Sequence, residues 1–246
     1  MDRLIYTVAS GAKHIMEQQA TVSNNLANAS TTGFRAQLDA FRAAHVVSEG
    51  LPTRAFVVDS TVGTDFTPGA IQQTGRDLDV AVQGKGWIAV EMEDGTEALT
   101  RHGNLKISEN GILQTAGGRN VVGDGGPIAI PPDTTITIGK DGTVSGSANG
   151  IKPGATTVLG RIKLVNPPKD NLVRGDDGLF RLKDGGAAEA DGNVVVVGGA
   201  LEGSNVNVVD AMVNMISLAR QFEIHMNFLK NAESNATKAG QILALS

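Results

Sequence analysis

The sequence predicts an α+β protein: long N- and C-terminal helices paired as a coiled-coil-like stalk, with a mostly-β central domain inserted between them. Three observations carry this expectation. Each end of the chain has apolar residues at alternating spacings of four and three, and the middle changes to a period of two broken by tight turns. The expected parts are an N-terminal helix over 1–33, an extended connector over 34–75, a β-rich domain over 76–200 and a C-terminal helix over 201–246.

The C-terminal row is the longer one. Val208, Met212, Met215, Ala219, Phe222, Met226, Leu229, Ala236 and Leu243 fall on one stripe, broken only by Glu233 and Gly240. A row of this kind sustained over several heptads predicts a seam against another helix. Between its members lie Asn214, Ser217, Arg220, Gln221, Asn227, Lys230 and Asn231, a solvated face. Asn207 is the expected N-cap, with Asp210 in the first turn facing the positive end of the helix dipole.

The N-terminal row supplies the expected partner. Ile5, Val8, Ala12, Ile15, Val22, Leu26 and Ala29 repeat the same spacing, interrupted by Gln19, and Asp2 is the expected cap. An antiparallel pair of the two helices follows as the simplest geometry, with ordinary helix packing inside a monomer as the plainer alternative. After this row come Asn24, Asn25 and Asn28, then Ser30-Thr31-Thr32-Gly33-Phe34. Gly33 suits the left-handed turn that ends a helix, and Phe34 suits an anchor. The three amides are poor helix formers, and their side chains suit hydrogen bonds across a helix interface.

From Phe34 to Gly75 the pattern weakens. Ala36–Val47 reads as a short helical or extended segment, and Thr53–Val58 and Ser60–Phe66 alternate without a firm period. Pro52, Gly63, Pro68 and Gly69 punctuate a hairpin-like connector. Beyond Asp77 the strands are expected at Leu78–Val82, Trp87–Met92, Leu105–Ile107, Ile136–Ile138, Ile162–Leu164 and Val194–Val197. Asp94-Gly95, Asn110-Gly111, Asp141-Gly142, Asp177-Gly178, Asp184-Gly185 and Asp191-Gly192 mark the turns, because Asn, Asp and Gly tolerate positive φ.

Composition narrows the function. The chain has 246 residues, a formal net charge of -5 and no cysteine. The absence of cysteine excludes disulfides, thiolate metal sites and cysteine nucleophiles. Neither end carries a one-signed patch for phosphate backbones or anionic lipid, so no nucleic acid is expected as a partner. No stretch approaches the roughly 20 apolar residues of a membrane span, so no direct membrane insertion is expected. Lys13, His14, Glu17, Gln18 and Gln19 interrupt the first segment, which does not read as a cleavable signal.

Reactive constellations are missing as well. His14, His45, His102 and His225 are scattered, with no metal-site spacing. Gln83-Gly84-Lys85-Gly86-Trp87 invites comparison with phosphate-cradling loops, but a strand rather than a helix is expected after it. Asp176-Asp177-Gly178 and Asp191-Gly192 lack the spaced oxygen ligands of a calcium loop. The expectation is a non-enzyme with no catalytic residues, no metal and no cofactor.

Four stretches then converge. Met1-Asp2-Arg3-Leu4-Ile5-Tyr6-Thr7, the asparagine-rich Ser23–Phe34, Asp77–Trp87, and Leu201-Glu202-Gly203-Ser204-Asn205-Val206-Asn207 together resemble the bacterial flagellar rod and hook family. The resemblance spans essentially the whole chain. The opening, the length and Arg174–Arg181 are most similar to a proximal-rod member, with the distal-rod paralogue as competitor.

The resemblance implies paired terminal helices as the inner layer of an axial tube and the β domain as its outer layer. It implies assembly without covalent chemistry into a drive shaft that passes torque from motor to hook. The implied partners are copies of the chain itself, other rod proteins, and the flagellar type III export apparatus, which would deliver it to the periplasmic basal body without a cleaved signal. It implies an assembly interface at Asn24, Asn25, Asn28, Gly33 and Phe34, and at Leu201, Glu202, Ser204, Asn205, Val206 and Met212. The helical rows add Ile5, Val8, Ile15, Val22, Leu26, Val208, Met215, Phe222, Met226 and Leu229 as stripe residues for the same interface. Two other classes were weighed: a coiled-coil-stalk surface protein with a β-rich head, which requires a secretion signal, and a β-rich hydrolase, which requires a convergent acid–base or metal cluster.

Overall fold

A computed structural model describes residues 2–45, 55–148 and 156–244 of the chain. The chain forms two compact units. One contains Met1–Ala29, Ala36–Asp65 and Val206–Ser246, and the other Ser30–Arg35 and Phe66–Asn205. Val46, Val47, Pro52 and Thr53 of the expected connector lie outside the described residues.

The helical unit is built on α1 (Asp2–Ala27) and α2 (Val208–Ala244), with the antiparallel hairpin β1 (Gln37–His45) and β2 (Ala55–Thr64). The apolar row of α1 is buried where it was expected: Ala12 and Ile15 are fully covered, and Ile5, Val8, Val22 and Leu26 are half-buried. Its end is local chemistry. Asn28 N–H reaches back to the carbonyls of Asn24 and Asn25, and Asn28 Nδ2 donates to Asn24 O at 2.9 Å. At the start of α2, Asn207 Oδ1 accepts from the amides of Val209 and Asp210 at 3.0 and 3.4 Å, the N-cap arrangement its position predicts.

The expected coiled-coil-like stalk is not what the helices make. A coiled coil closes one helix against the apolar seam of the other, whereas α1 also carries a strand. Three contacts run along it: Asn25 with Gln37, Thr21 with Asp39, and His14 edge-on to Phe41 at 3.6 Å between ring centroids. From Gln37 to Asp39 two strand residues, about 7 Å, match one helical turn of about 5.4 Å, from Asn25 to Thr21; from Asp39 to Phe41 the helix advances two turns, from Thr21 to His14. The seam on α2 is also displaced. Ala211, Met215, Leu218, Phe222, His225, Leu229 and Ala232 are its buried or half-buried residues, while Val208, Met212, Ala219, Met226 and Glu233 are exposed. The two rows share Met215, Phe222 and Leu229 and differ by one residue at every other position. The side chains of Ala236 and Leu243, further along the expected row, lie outside the described residues.

Close approach explains the displacement. A Cβ at Gly11 would lie 2.6 Å from the His225 ring, and His225 Nδ1 sits 3.3 Å from Val8 O, so a helix without a side chain at position 11 accepts an imidazole on its seam. The carbonyl can only accept, which places the proton on Nδ1. Gly11 and His225 therefore fix the rotation of α2 against α1.

The second unit is built of short strands joined by turns and loops. β3 (Ile71–Gln73), β4 (Val80–Gln83), β5 (Trp87–Glu91), β6 (Glu97–Thr100), β7 (Leu105–Ile107), β8 (Leu113–Thr115), β9 (Asn120–Gly123) and β10 (Gly126–Pro127) lead into the hairpin β11 (Thr134–Ile138) and β12 (Thr143–Ala148). There follow β13 (Thr156–Arg161), β14 (Leu164–Val165), β15 (Leu172–Arg174), β16 (Phe180–Leu182), β17 (Val195–Gly198) and β18 (Ala200–Glu202). The largest sheet has the order β15-β16-β6-β5-β9-β8-β7, with β10 beside β9 and β14 beside β5. Two late strands return to the start of the unit: β17 pairs with β4 and β18 with β3, both antiparallel.

Strand β5 organises the core because it is covered on both faces. Its alternation sends Ile88 into a cluster with Val80, Val82, Leu105, Leu113, Val121 and Val144, and Trp87 and Ala89 into one with Leu99, Val165, Leu172 and Phe180. The turns follow the Asx-Gly dipeptides closely. Gly95, Gly111, Gly142, Gly178 and Gly185 all have positive φ. Asp94, Asp141, Asp177, Asp184 and Asp191 each accept a backbone N–H from two residues on.

One of these turns is fastened twice. Arg181 donates from both terminal nitrogens to Asp177, at 3.0 and 2.7 Å, and this holds the Asp177 carboxyl below its ordinary value. A carboxyl with a lowered folded-state pKa stabilises the fold above its unfolded value, and that contribution disappears as pH falls through the folded value. Asp177→Asn is therefore expected to lower the melting temperature at pH 7 and to converge on the wild type as pH falls below the ordinary carboxylate range. Both side chains are part-exposed, so the difference at pH 7 should be no more than about 1 kcal/mol. Thermal melts of both proteins across that range measure it; a gap that persists in acid would assign the effect to the turn rather than the charge.

Candidate functional site

Two features stand out: a buried ionic cluster inside the β unit, and an exposed apolar surface on α2. The cluster starts from the segment Ser30–Arg35, which follows α1 in the chain yet belongs to the β unit. Gly33, at φ 68°, donates its N–H to Glu202 O at 2.7 Å. Thr32 Oγ1 meets His102 Nδ1 at 2.6 Å. Phe34 is buried beneath the Arg174 guanidinium, 4.6 Å above its ring, and Arg174 Nη1 donates to Arg35 O at 2.8 Å.

Arg35 is only 1% exposed, and its Nη2 donates to Glu202 Oε1 at 2.6 Å. Arg101 Nη1 donates to Glu202 Oε2 at 2.9 Å, and Gly69 N–H to Glu202 Oε1 at 2.9 Å. Arg101 continues to the carbonyls of Val82 and Gly84 and lies over the Trp87 ring at 5.4 Å. Burial pushes the Arg101 guanidinium below its ordinary value, and the Glu202 charge opposes that shift. Two guanidiniums thus share one carboxylate away from water. Arg35 Nε, Arg35 Nη1 and Arg101 Nε have no hydrogen-bond partner among the protein atoms.

The residues expected at an assembly interface divide between these features and the α1 face. Phe34 and Glu202 are enclosed by the β unit, with Gly33 and Leu201 half-buried beside them. Asn205 donates its N–H to Phe34 O and its Nδ2 to Thr67 O, and Ser204 is half-buried. Asn25 is a clip within the chain: its Oδ1 accepts from Gln37 N–H at 2.8 Å and its Nδ2 donates to Gln37 O at 2.9 Å. An amide side chain has the donor–acceptor pair of a peptide unit, so it pairs with a strand as another strand would. Asn24 is exposed and Asn28 half-buried. Ile5, Val8, Ile15, Val22 and Leu26 line α1 towards its neighbours in the unit, and Met215, Phe222 and Leu229 do so from α2. Val208, Met212 and Met226 are exposed.

The exposed surface extends beyond those three. Val209, Val213 and Ile216 stand 67, 59 and 56% exposed on the first turns of α2, and Ile224 and Phe228 follow four residues apart. Residues 208, 209, 212, 213 and 216 share one broad face. Tyr6 and Met16 are likewise exposed on α1. Among the described residues no group of three His, Asp or Glu side chains could hold a metal ion, and no helix is long and apolar enough to cross a membrane.

Comparison with known proteins identifies the setting. Three family models match successive parts of the chain: Flagella basal body rod protein over residues 5–35, Flagellar hook protein FlgE/F/G D1 domain over 81–146, and Flagellar basal body rod FlgEFG protein C-terminal over 197–242. The flagellar basal-body rod protein FlgF of Escherichia coli K12 is 46% identical over 100% of both chains. The chain belongs to the FlgF family of flagellar basal-body rod proteins. The FlgF of Salmonella typhimurium LT2 is 45% identical over the full length of both chains, and the FlgG of Bacillus subtilis 168 is 31% identical over 95% of this one. As a member of the FlgF family the chain is a structural subunit of the flagellar basal body, not an enzyme, and it assembles with other basal-body rod proteins. The first family match ends at Arg35 and the last begins at Val197, so the two ends of the buried cluster fall in separate terminal matches.

Proposed function

We propose that this chain is a subunit of the proximal rod, packing helically with copies of itself and with neighbouring rod proteins into the shaft that carries torque from motor to hook. The observation that carries the reading is the apolar face of α2 at Val208, Val209, Met212, Val213 and Ile216, a surface that a lone subunit leaves in water. Head-to-tail packing of such a face makes an open helical assembly rather than a closed pair. In this reading Val208, Met212 and Met226 meet neighbouring subunits, with Asn24 beside them. Ile5, Val8, Ile15, Val22, Leu26, Met215, Phe222 and Leu229 keep the helical unit in shape for that contact. Asn25, Asn28, Gly33, Phe34, Leu201, Glu202, Ser204 and Asn205 support it from within the chain. The periplasmic part of the basal body is the proposed location, reached through the flagellar type III export apparatus.

Deletion of the gene in its native host, followed by electron microscopy of isolated basal bodies, tests the position in the shaft. Rods that stop short, with rings present and hooks absent, are the expected result. Complete rods bearing hooks would rule out the proximal position.

A further inference from the structure

The segment Ser30–Arg35 follows α1, and the stretch that holds β18 and Asn205 precedes α2; both are embedded in the β unit. We propose that the Glu202 carboxylate is a clamp that makes these two stretches open and close together, so that the β unit grips both helix-bearing ends of the chain at one buried point. Backbone bonds join them at Gly33 N–H to Glu202 O, 2.7 Å, and at Asn205 N–H to Phe34 O, 3.4 Å.

The Glu202 side chain extends this joint into the rest of the unit. Through Oε1 and Oε2 it joins Arg35 from the first stretch, Gly69 from the approach to β3, and Arg101 from the turn after β6. Arg101 in turn is seated on Val82 O, Gly84 O and the Trp87 ring, which carries the clamp into the core around β4 and β5. Glu202 and Arg35 are each 1% exposed, so water does not replace a lost partner. Three guanidinium nitrogens in the cluster already lack protein partners. Removing the one carboxylate strands two buried cations, the most costly way to break such a group.

Hydrogen exchange followed by mass spectrometry on the purified full-length chain tests the clamp without reference to the rod. The proteins compared are wild type, Glu202→Gln and Arg35→Lys. In Glu202→Gln the amides of 30–35, 66–70 and 200–205 should exchange together, about tenfold or more faster than in wild type. Those of β5 and β9 should stay within about twofold. If Glu202→Gln fails to fold, Arg35→Lys decides: lysine keeps the charge but loses the fixed fork, and the same three stretches should loosen together to a smaller extent. Loosening of 30–35 alone, unchanged exchange in all three stretches, or equal acceleration across the whole β unit in Arg35→Lys would overturn the proposal.

Discussion

Replacing Gly33 by alanine should destabilise the chain by about 3 kcal/mol or more, the sum of a backbone cost and a steric one. The backbone cost arises because Gly33 lies at φ 68°, where a side chain is strained. The steric cost is larger. A Cβ there would lie 2.4 Å from the Arg101 carbonyl carbon and 2.7 Å from the His102 nitrogen, and backbone atoms cannot swing aside as a side-chain tip can. The shift needed would also pull Gly33 N–H from Glu202 O. Gly178 provides the control: its φ is 78°, but a Cβ would meet nothing within 4 Å. Gly178→Ala should therefore cost only about 1–2 kcal/mol. Denaturant midpoints of the two variants measure the difference. Equal losses would mean that φ strain alone governs position 33 and that the segment is not threaded against Arg101.

Ile216→Asp should do the opposite, leaving the isolated chain intact while abolishing motility. Ile216 stands on the exposed face of α2, and substitutions at such positions change stability by about 0.5 kcal/mol or less. In the assembled rod the same carboxylate would be buried against apolar side chains with no partner, and each subunit would bring one. Leu218, two residues further on and half-buried towards the rest of the helical unit, is the comparison: Leu218→Asp should lose folding itself. Thermal melts of the purified variants, together with swimming of a deletion strain supplied with each, separate the cases. Full swimming with Ile216→Asp would remove this face from the assembly.

How far the fold could be read in advance depends on how local each feature is. Five of the six Asx-Gly turns were legible down to the positive φ of their glycine, because a turn is decided mostly by its own residues; Gly192 turns without it. The row on α1 was legible too, as few apolar side chains, Tyr6 and Met16 among them, compete with it on the other faces. On α2 they do. Met212 and Met226 are as apolar as a seam requires, and hydropathy prefers them to Ala211 and His225, although the latter pair faces inward. Whether an apolar residue faces its own chain or another lies beyond any periodicity. The hairpin-like connector was expected, but its place along α1 was hidden for another reason: its contacts use Gln37 and Asp39, polar residues that match Asn25 and Thr21 in shape and hydrogen bonding rather than in hydrophobicity.

The buried cluster was half legible. Glu202 was reached through the resemblance of its motif, but as an interface residue. Its partners could not be found from spacing, since Arg35 and Arg101 lie 167 and 101 residues away along the chain. An arginine destined for burial carries no mark in sequence. Only a fold that brings its carboxylate to it makes the charge tolerable.

The last turns of α2 bear on how long an unused copy of the chain survives. Beyond Ala232 every described side chain of the helix is exposed, among them Ser234, Asn235, Thr237, Lys238 and Gln241. These described side chains add no packing of their own, and backbone whose side chains face water opens more readily than packed backbone. Proteases cut where backbone opens, and a subunit waiting to be used offers them this end first. A copy whose end has been covered by a neighbour would be cut more slowly there.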